Sequence, residues 1–104
     1  MKRVALLGST GSIGLSTLEV VRRNADDFSI DLLCAGSQYA LLAEQIRTFR
    51  PSLAGLANPA AFGSLCNELG VDPVSRVFEG TRLLCGNDEI LDAIRESRAQ
   101  LVVA

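Results

Sequence analysis

The stretch Gly8-Ser9-Thr10-Gly11-Ser12-Ile13-Gly14 follows the apolar run Val4-Ala5-Leu6-Leu7, and it constrains the fold more than any other part of the chain. An apolar run that ends in glycine and passes straight into residues of helical period is a strand, a turn and a helix, the opening of a βαβ unit. Glycines at 8, 11 and 14 leave the backbone bare on one side, so something can approach it closely. The spacing GxxGxxG differs from the commoner GxGxxG in its second glycine, but its context is that of a dinucleotide-binding turn. Gly8 ends the strand, Gly11 lets a pyrophosphate lie against the backbone, and Gly14 lets the helix pack closely on the sheet. The helix N-terminus adds free N–H groups and a partial positive charge. Thr10 and Ser12 contribute hydroxyl donors without adding charge. A P-loop requires lysine and a hydroxyl residue after its last glycine; Leu15 and Ser16 stand there, which disfavours a nucleoside triphosphatase.

The alternation continues beyond the turn. From Ser12 to about Asn24 the pattern is helical, with Ile13, Thr17, Val20 and Val21 assigned to one face and Arg22 and Arg23 in the last turn, where cations suit the helix dipole. Residues 28 to 35 form a second strand closed by Gly36, within which Asp31 is expected to face outward or lie at an edge. Tyr39, Leu42, Ile46 and Phe49 mark a second amphipathic helix that must stop before Pro51. Ser52 to Ala57 suggests a short third strand, and Asn58-Pro59 opens a helix carrying Phe62, Leu65 and Leu69, capped by Gly70. Residues 75 to 80 suggest another short strand. Thr81 or Asn87 can cap the last helix, whose stripe is Ile90, Leu91 and Ile94, with Asp88 and Glu89 at its start and Arg95 and Arg98 at its end as a solvated face. The closing Leu101-Val102-Val103-Ala104 is expected to be a core strand, and residues 1–104 an incomplete domain of a longer protein. The fold class is α/β: a Rossmann-like parallel sheet with helices on both faces.

At 104 residues, 48% of them apolar, the chain supports one buried core. A net charge of −2 gives no basic field for nucleic acid or an anionic membrane, and no stretch is long enough for a signal peptide or a bilayer span; a cytoplasmic location is expected. The three cysteines, Cys34, Cys66 and Cys85, form no CxxC pair, and histidine is absent. A zinc site and a disulfide framework are poorly supported, and the cysteines are expected to be small buried hydrophobes. Without histidine the commonest general base is missing as well.

The end of the second strand bears on which dinucleotide fits. An NAD site usually places a carboxylate there for the ribose hydroxyls, whereas this strand runs into Ala35-Gly36-Ser37-Gln38. A 2′-phosphate would meet no repulsion and would find N–H and side-chain donors, which favours NADP; local sequence alone leaves Gly36 and Ser37 equally usable as turn and cap residues.

The segments VALLGSTGSIGLSTLEVV, LCAGSQYALLAEQIRTFRP and LVVA together resemble the N-terminal cofactor domain of the 1-deoxy-D-xylulose 5-phosphate reductoisomerases. The resemblance spans essentially all of the chain and the first quarter or so of the family's proteins. It implies an NADPH enzyme of isoprenoid biosynthesis by the methylerythritol phosphate route, which rearranges and reduces its substrate to 2-C-methyl-D-erythritol 4-phosphate. By the resemblance, Thr10, Gly11, Ser12 and Ile13 line the NADPH pyrophosphate, and Gly36, Ser37 and Gln38 surround the 2′-phosphate; Gly8, where the strand ends, is counted in the same cofactor site. Gln38 stands where the family pattern has asparagine. The divalent metal, magnesium or manganese, its carboxylate ligands and the sugar-phosphate site are expected in later segments of a homodimeric full-length enzyme, so residues 1–104 alone are expected to be inactive. Two other readings stay open on sequence: an NADP-dependent semialdehyde or acyl-phosphate reductase, and a non-catalytic nucleotide-binding regulatory module.

Overall fold

The computed structural model describes all of residues 1–104. Strand β1 (Lys2–Leu7) runs through the glycine turn into helix α1 (Ser12–Arg23), followed by β2 (Phe28–Ala35), α2 (Tyr39–Phe49) and β3 (Leu53–Leu56). A 3₁₀ turn (Pro59–Ala61) leads into α3 (Phe62–Leu69), then come β4 (Val77–Phe78), β5 (Thr81–Cys85), α4 (Asn87–Glu96) and β6 (Leu101–Val103). The strands form one sheet in the order β4-β5-β3-β2-β1-β6. Every pairing is parallel except that of β4 with β5. No helix is long and apolar enough to cross a membrane.

Two apolar layers hold the sheet between helices. On one face Val4, Leu6, Leu33 and Leu56 pack against Leu18 and Val21 of α1, Leu42 and Ile46 of α2, and Leu65 and Leu69 of α3. On the other, Ala5, Leu32, Cys34 and Leu84 pack against Ile90 and Ala93 of α4. Helices thus cover both faces, as expected for a Rossmann-like sheet.

The boundaries of β2 and the ends of α2 and α3 match the sequence reading. Arg50 closes α2 in the left-handed region (φ 47°) before Pro51, and Gly70 closes α3 at φ 69°. Asn58 caps the 3₁₀ turn by accepting from the Ala60 N–H at 3.0 Å.

Other expectations are corrected. The face of α1 that packs is Gly14, Leu18 and Val21, while Ile13 and Val20 are exposed; the packed face includes a glycine, which carries no apolar side chain for a periodicity to register. Tyr39 likewise stands at the exposed start of α2, and Leu91 faces solvent on α4, where Ala93 takes the core position. Thr81 caps nothing. It begins β5, a strand the sequence did not reveal, and its buried hydroxyl donates to the Pro51 carbonyl at 2.6 Å. Gly86 caps α4, and Arg98 lies beyond the end of that helix. Residues Leu101–Val103 form an edge strand with Leu101 and Val102 exposed, not a core strand.

Asp31 is the most consequential correction. Val4 pairs with Ile30 and Ala5 with Leu32, which leaves Asp31 as the extra residue of a β-bulge. The bulge turns it inward, where it is buried, ion-paired with Arg3 and bonded to the Ser97 hydroxyl at 3.1 Å. It braces β1 and β2 against the end of α4.

Candidate functional site

From β1 the chain steps outward through β2, β3 and β5, and then returns to place β6 on the other side of β1. The carboxyl end of β1 therefore lies at the point where the strand order reverses, the position at which open α/β sheets bind ligands. The glycine turn occupies that end.

Its geometry follows from three backbone requirements. Gly8 has φ 84°, a conformation other residues adopt only with strain. The N–H groups of Gly8 and Ser9 both donate to the Cys34 carbonyl at 2.8 Å, which fastens the turn to β2. A Cβ on Gly14 would lie 2.3 Å from the Gly8 oxygen, so α1 approaches the turn as closely as it does only because residue 14 has none. Gly11 is different: a Cβ there would meet only the Gly8 oxygen, at an ordinary 3.6 Å. The fold does not need glycine at 11.

Gly11 stands at the N-cap of α1, with no side chain capping it. The N–H groups of Thr10, Ser12, Ile13 and Gly14 find no acceptor in the chain, and Gly11, Ser12 and Ile13 are exposed. Helix termini leave such donors over, and a set of them converging beside a bare turn is an anion site. Across the crevice, the α2 N-terminus repeats the arrangement. Gly36, Ser37 and Gln38 are exposed, and no side chain caps α2. Their N–H groups also have no acceptor in the chain.

Beside the turn, at the carboxyl ends of β1 and β2 and against α4, lies a hollow of about 280 Å³ bordered by Leu7, Gly8, Cys34, Gly36, Ala57, Asn87, Ile90 and Ile94. Sequence reasoning placed Gly8 and Gly36 here but missed Ala57, Asn87, Ile90 and Ile94. Ala57 follows β3 and the others stand on α4, elements that only the sheet order brings beside the turn. Two larger hollows, about 380 and 310 Å³, lie beside β5 and at the opening of β2. Neither touches the glycine turn nor carries its converging donors. Within the cleft, burial pushes the Cys34 thiol up to about 12, so it stays a neutral lining group. No three His, Cys, Asp or Glu side chains come together as a metal site, and the residues present do not fit a divalent cation.

The family model described as 1-deoxy-D-xylulose 5-phosphate reductoisomerase matches residues 4–104. The enzyme of that name from Chlorobaculum tepidum is 39% identical over 104 residues, covering 100% of this chain and 25% of that protein. The one from Chlorobium phaeobacteroides is 49% identical over 70 residues, or 67% of this chain and 18% of that protein. Among solved structures, the Zymomonas mobilis reductoisomerase in complex with NADPH superposes with a TM-score of 0.76 at 28% identity, covering 88% of this chain and 22% of that one. A DOX-P reductoisomerase in complex with magnesium gives a TM-score of 0.82 at 26% identity over 100% of this chain and 24% of that one. The chain thus spans a quarter or less of the length of these relatives. The match displaces both the semialdehyde-reductase and the regulatory-module readings. In sequence and in fold, the chain belongs to the 1-deoxy-D-xylulose 5-phosphate reductoisomerase family.

Proposed function

We propose that residues 1–104 are the NADPH-binding part of a 1-deoxy-D-xylulose 5-phosphate reductoisomerase. The observation that carries this is the glycine turn, where unpartnered N–H groups converge at the sheet's switch point beside a glycine, Gly11, that the fold itself does not require. A ligand that lies against the backbone supplies the missing reason. The likeness to an NADPH-bound relative supports the choice of ligand.

In this reading the pyrophosphate rests on Gly8, Thr10, Gly11, Ser12 and Ile13. Backbone N–H groups at the α1 N-terminus take its charge, and the Thr10 and Ser12 hydroxyls reach its oxygens. Gly36, Ser37 and Gln38 take the 2′-phosphate at the start of α2, where no carboxylate repels it. Leu7, Ile90 and Ile94 give the cleft apolar walls for the cofactor to pack against. When bound, NADPH supplies the hydride for the reduction. The chain's own residues hold and orient the cofactor; metal binding and proton transfer fall to other parts of the full-length enzyme.

Two substitutions in the full-length enzyme test the assignment. Gly11→Val puts a branched side chain where the phosphates lie, and it should weaken NADPH and NADH alike by at least about tenfold. Ser37→Asp should lower NADPH affinity relative to NADH by about tenfold, because its charge repels the 2′-phosphate yet accepts bonds from a ribose hydroxyl. Both affinities are measured by fluorescence titration. An unchanged NADPH-to-NADH ratio in Ser37→Asp would remove residue 37 from the 2′-phosphate site.

A further inference from the structure

Gln45 is a buried polar residue on the packed face of α2, and the cofactor contacts above do not account for it. Its side-chain Nε2 donates to the Ser9 carbonyl oxygen at 2.9 Å, across 36 residues of sequence. Ser9 is fully buried, between exposed Gly8 and half-buried Thr10. It is fixed from three sides: its N–H donates to the Cys34 carbonyl of β2, its Cα lies against the Cβ-free side of Gly14 in α1, and its carbonyl is held by α2. Removing Gln45 would release the third.

The carbonyl matters because of what shares its peptide plane. The chain has no cis peptide bond, so the Ser9 C=O and the Thr10 N–H point in opposite directions across one rigid unit. Holding the oxygen inward toward α2 directs the Thr10 N–H away from α2, and that N–H has no acceptor in the chain. Gln45 Oε1 and Ser9 Oγ are both buried without a hydrogen-bond partner in the chain, and such atoms subtract from the net worth of the bond beside them. An amide that leaves its own oxygen unpaired, yet holds a carbonyl in the phosphate turn, serves orientation.

We propose that Gln45 is a positioning residue for the phosphate-binding turn, setting the Ser9–Thr10 peptide so that the Thr10 N–H is presented to the dinucleotide pyrophosphate. This rests on the assignment of the pyrophosphate to the glycine turn. Gln45→Met keeps the length of the side chain and removes the donor. In the full-length enzyme the Kd values for NADPH and NADH should both rise by about the same factor, roughly tenfold. The KM for NADPH should rise with them, kcat at saturating NADPH should be retained, and the melting temperature should move by only a few degrees. Gln45→Leu, which likewise removes the donor without burying a charge, should weaken both cofactors in the same way.

Unchanged cofactor affinity in Gln45→Met would overturn the proposal, as would a loss confined to NADPH, which would place the effect at the α2 N-terminus. A variant that fails to fold, or melts more than about 10 °C lower, would make Gln45 a stability residue and overturn it too. Gly11→Val separates the two levels. If Gly11→Val leaves both affinities unchanged, the pyrophosphate assignment itself fails; if it weakens them and Gln45→Met does not, only the positioning role fails.

Discussion

A Cβ built on Gly14 lies 2.3 Å from the Gly8 oxygen and 2.7 Å from Ser9 backbone atoms, whereas one on Gly11 meets a single oxygen at 3.6 Å. The two glycines therefore respond differently to the same change. Gly14→Ala forces α1 away from the turn, an overpacking against backbone that cannot yield, and it should destabilise the protein by about 3 kcal/mol or more. Gly11→Ala relieves unfolded-state entropy but puts a poor residue at an N-cap, so its stability should stay within about 1 kcal/mol of the parent. Urea unfolding of both variants checks this, and equal losses would show that the turn needs glycine at 11 for its own conformation. At this scale the sequence was informative where backbone sterics decide. The spacing of Gly8 and Gly14 foretold a strand end and a close helix. It was silent where one extra residue changes a side chain's direction: nothing in Ser29-Ile30-Asp31-Leu32 announces the bulge that buries Asp31 against Arg3.

Helix α4 begins at Gly86 without a side-chain cap, and Glu89 takes over that task from inside the first turn. Its carboxylate accepts the Cys85 N–H at 3.0 Å and pairs with Arg76 at 2.9 Å. The Cys85 N–H, with Arg76 beside it, holds the Glu89 carboxyl below the usual carboxylate range. A lowered pKa means that the unfolded chain takes up the proton first, so the contribution is present above the ordinary value near 4.5 and is lost as the pH falls through the lowered one. Glu89→Gln should cost under about 1 kcal/mol at pH 7, the group being partly solvated, and almost nothing at the acid end. A cost that does not change with pH would assign the effect to packing. The strand before this helix went unread because its flanks carried the wrong cue. Gly80 looks like a strand terminator, yet Glu79 (φ 47°) and Gly80 (φ 92°) form the two-residue turn of a hairpin joining β4 to β5. Two successive positive φ values are what such a turn demands, and Glu-Gly is a weaker signal for it than Asn-Gly.

Across the whole molecule, the βαβ rhythm told of a parallel sheet, but strand order and edge positions depend on contacts between distant segments that no local pattern encodes. That order puts β2 at the centre of the sheet, between β1 and β3, and so surrounds Cys34 with Ala5, Leu32, Leu84 and Ile90. Burial there raises the Cys34 thiol from 9.0 to about 12, and the consequence is an alkaline limit to stability. In the unfolded chain the thiol ionises near its ordinary value; in the folded protein it keeps its proton. Between those two values the unfolded state binds fewer protons than the native one, so stability is intact below pH 9 and declines as the pH rises toward the folded value. The expected slope is on the order of 1 kcal/mol per pH unit above pH 9. Cys34→Ala keeps the backbone carbonyl that receives Gly8 and Ser9 and removes only the titrating group, at the cost of a small cavity. Urea unfolding of the parent and the variant at pH 8, 9 and 10 should therefore show the parent's advantage shrinking as the pH climbs. Parallel curves would mean that the thiol ionises as it does in an open chain, and Cys34 would have to be withdrawn from the buried layer that floors the cleft.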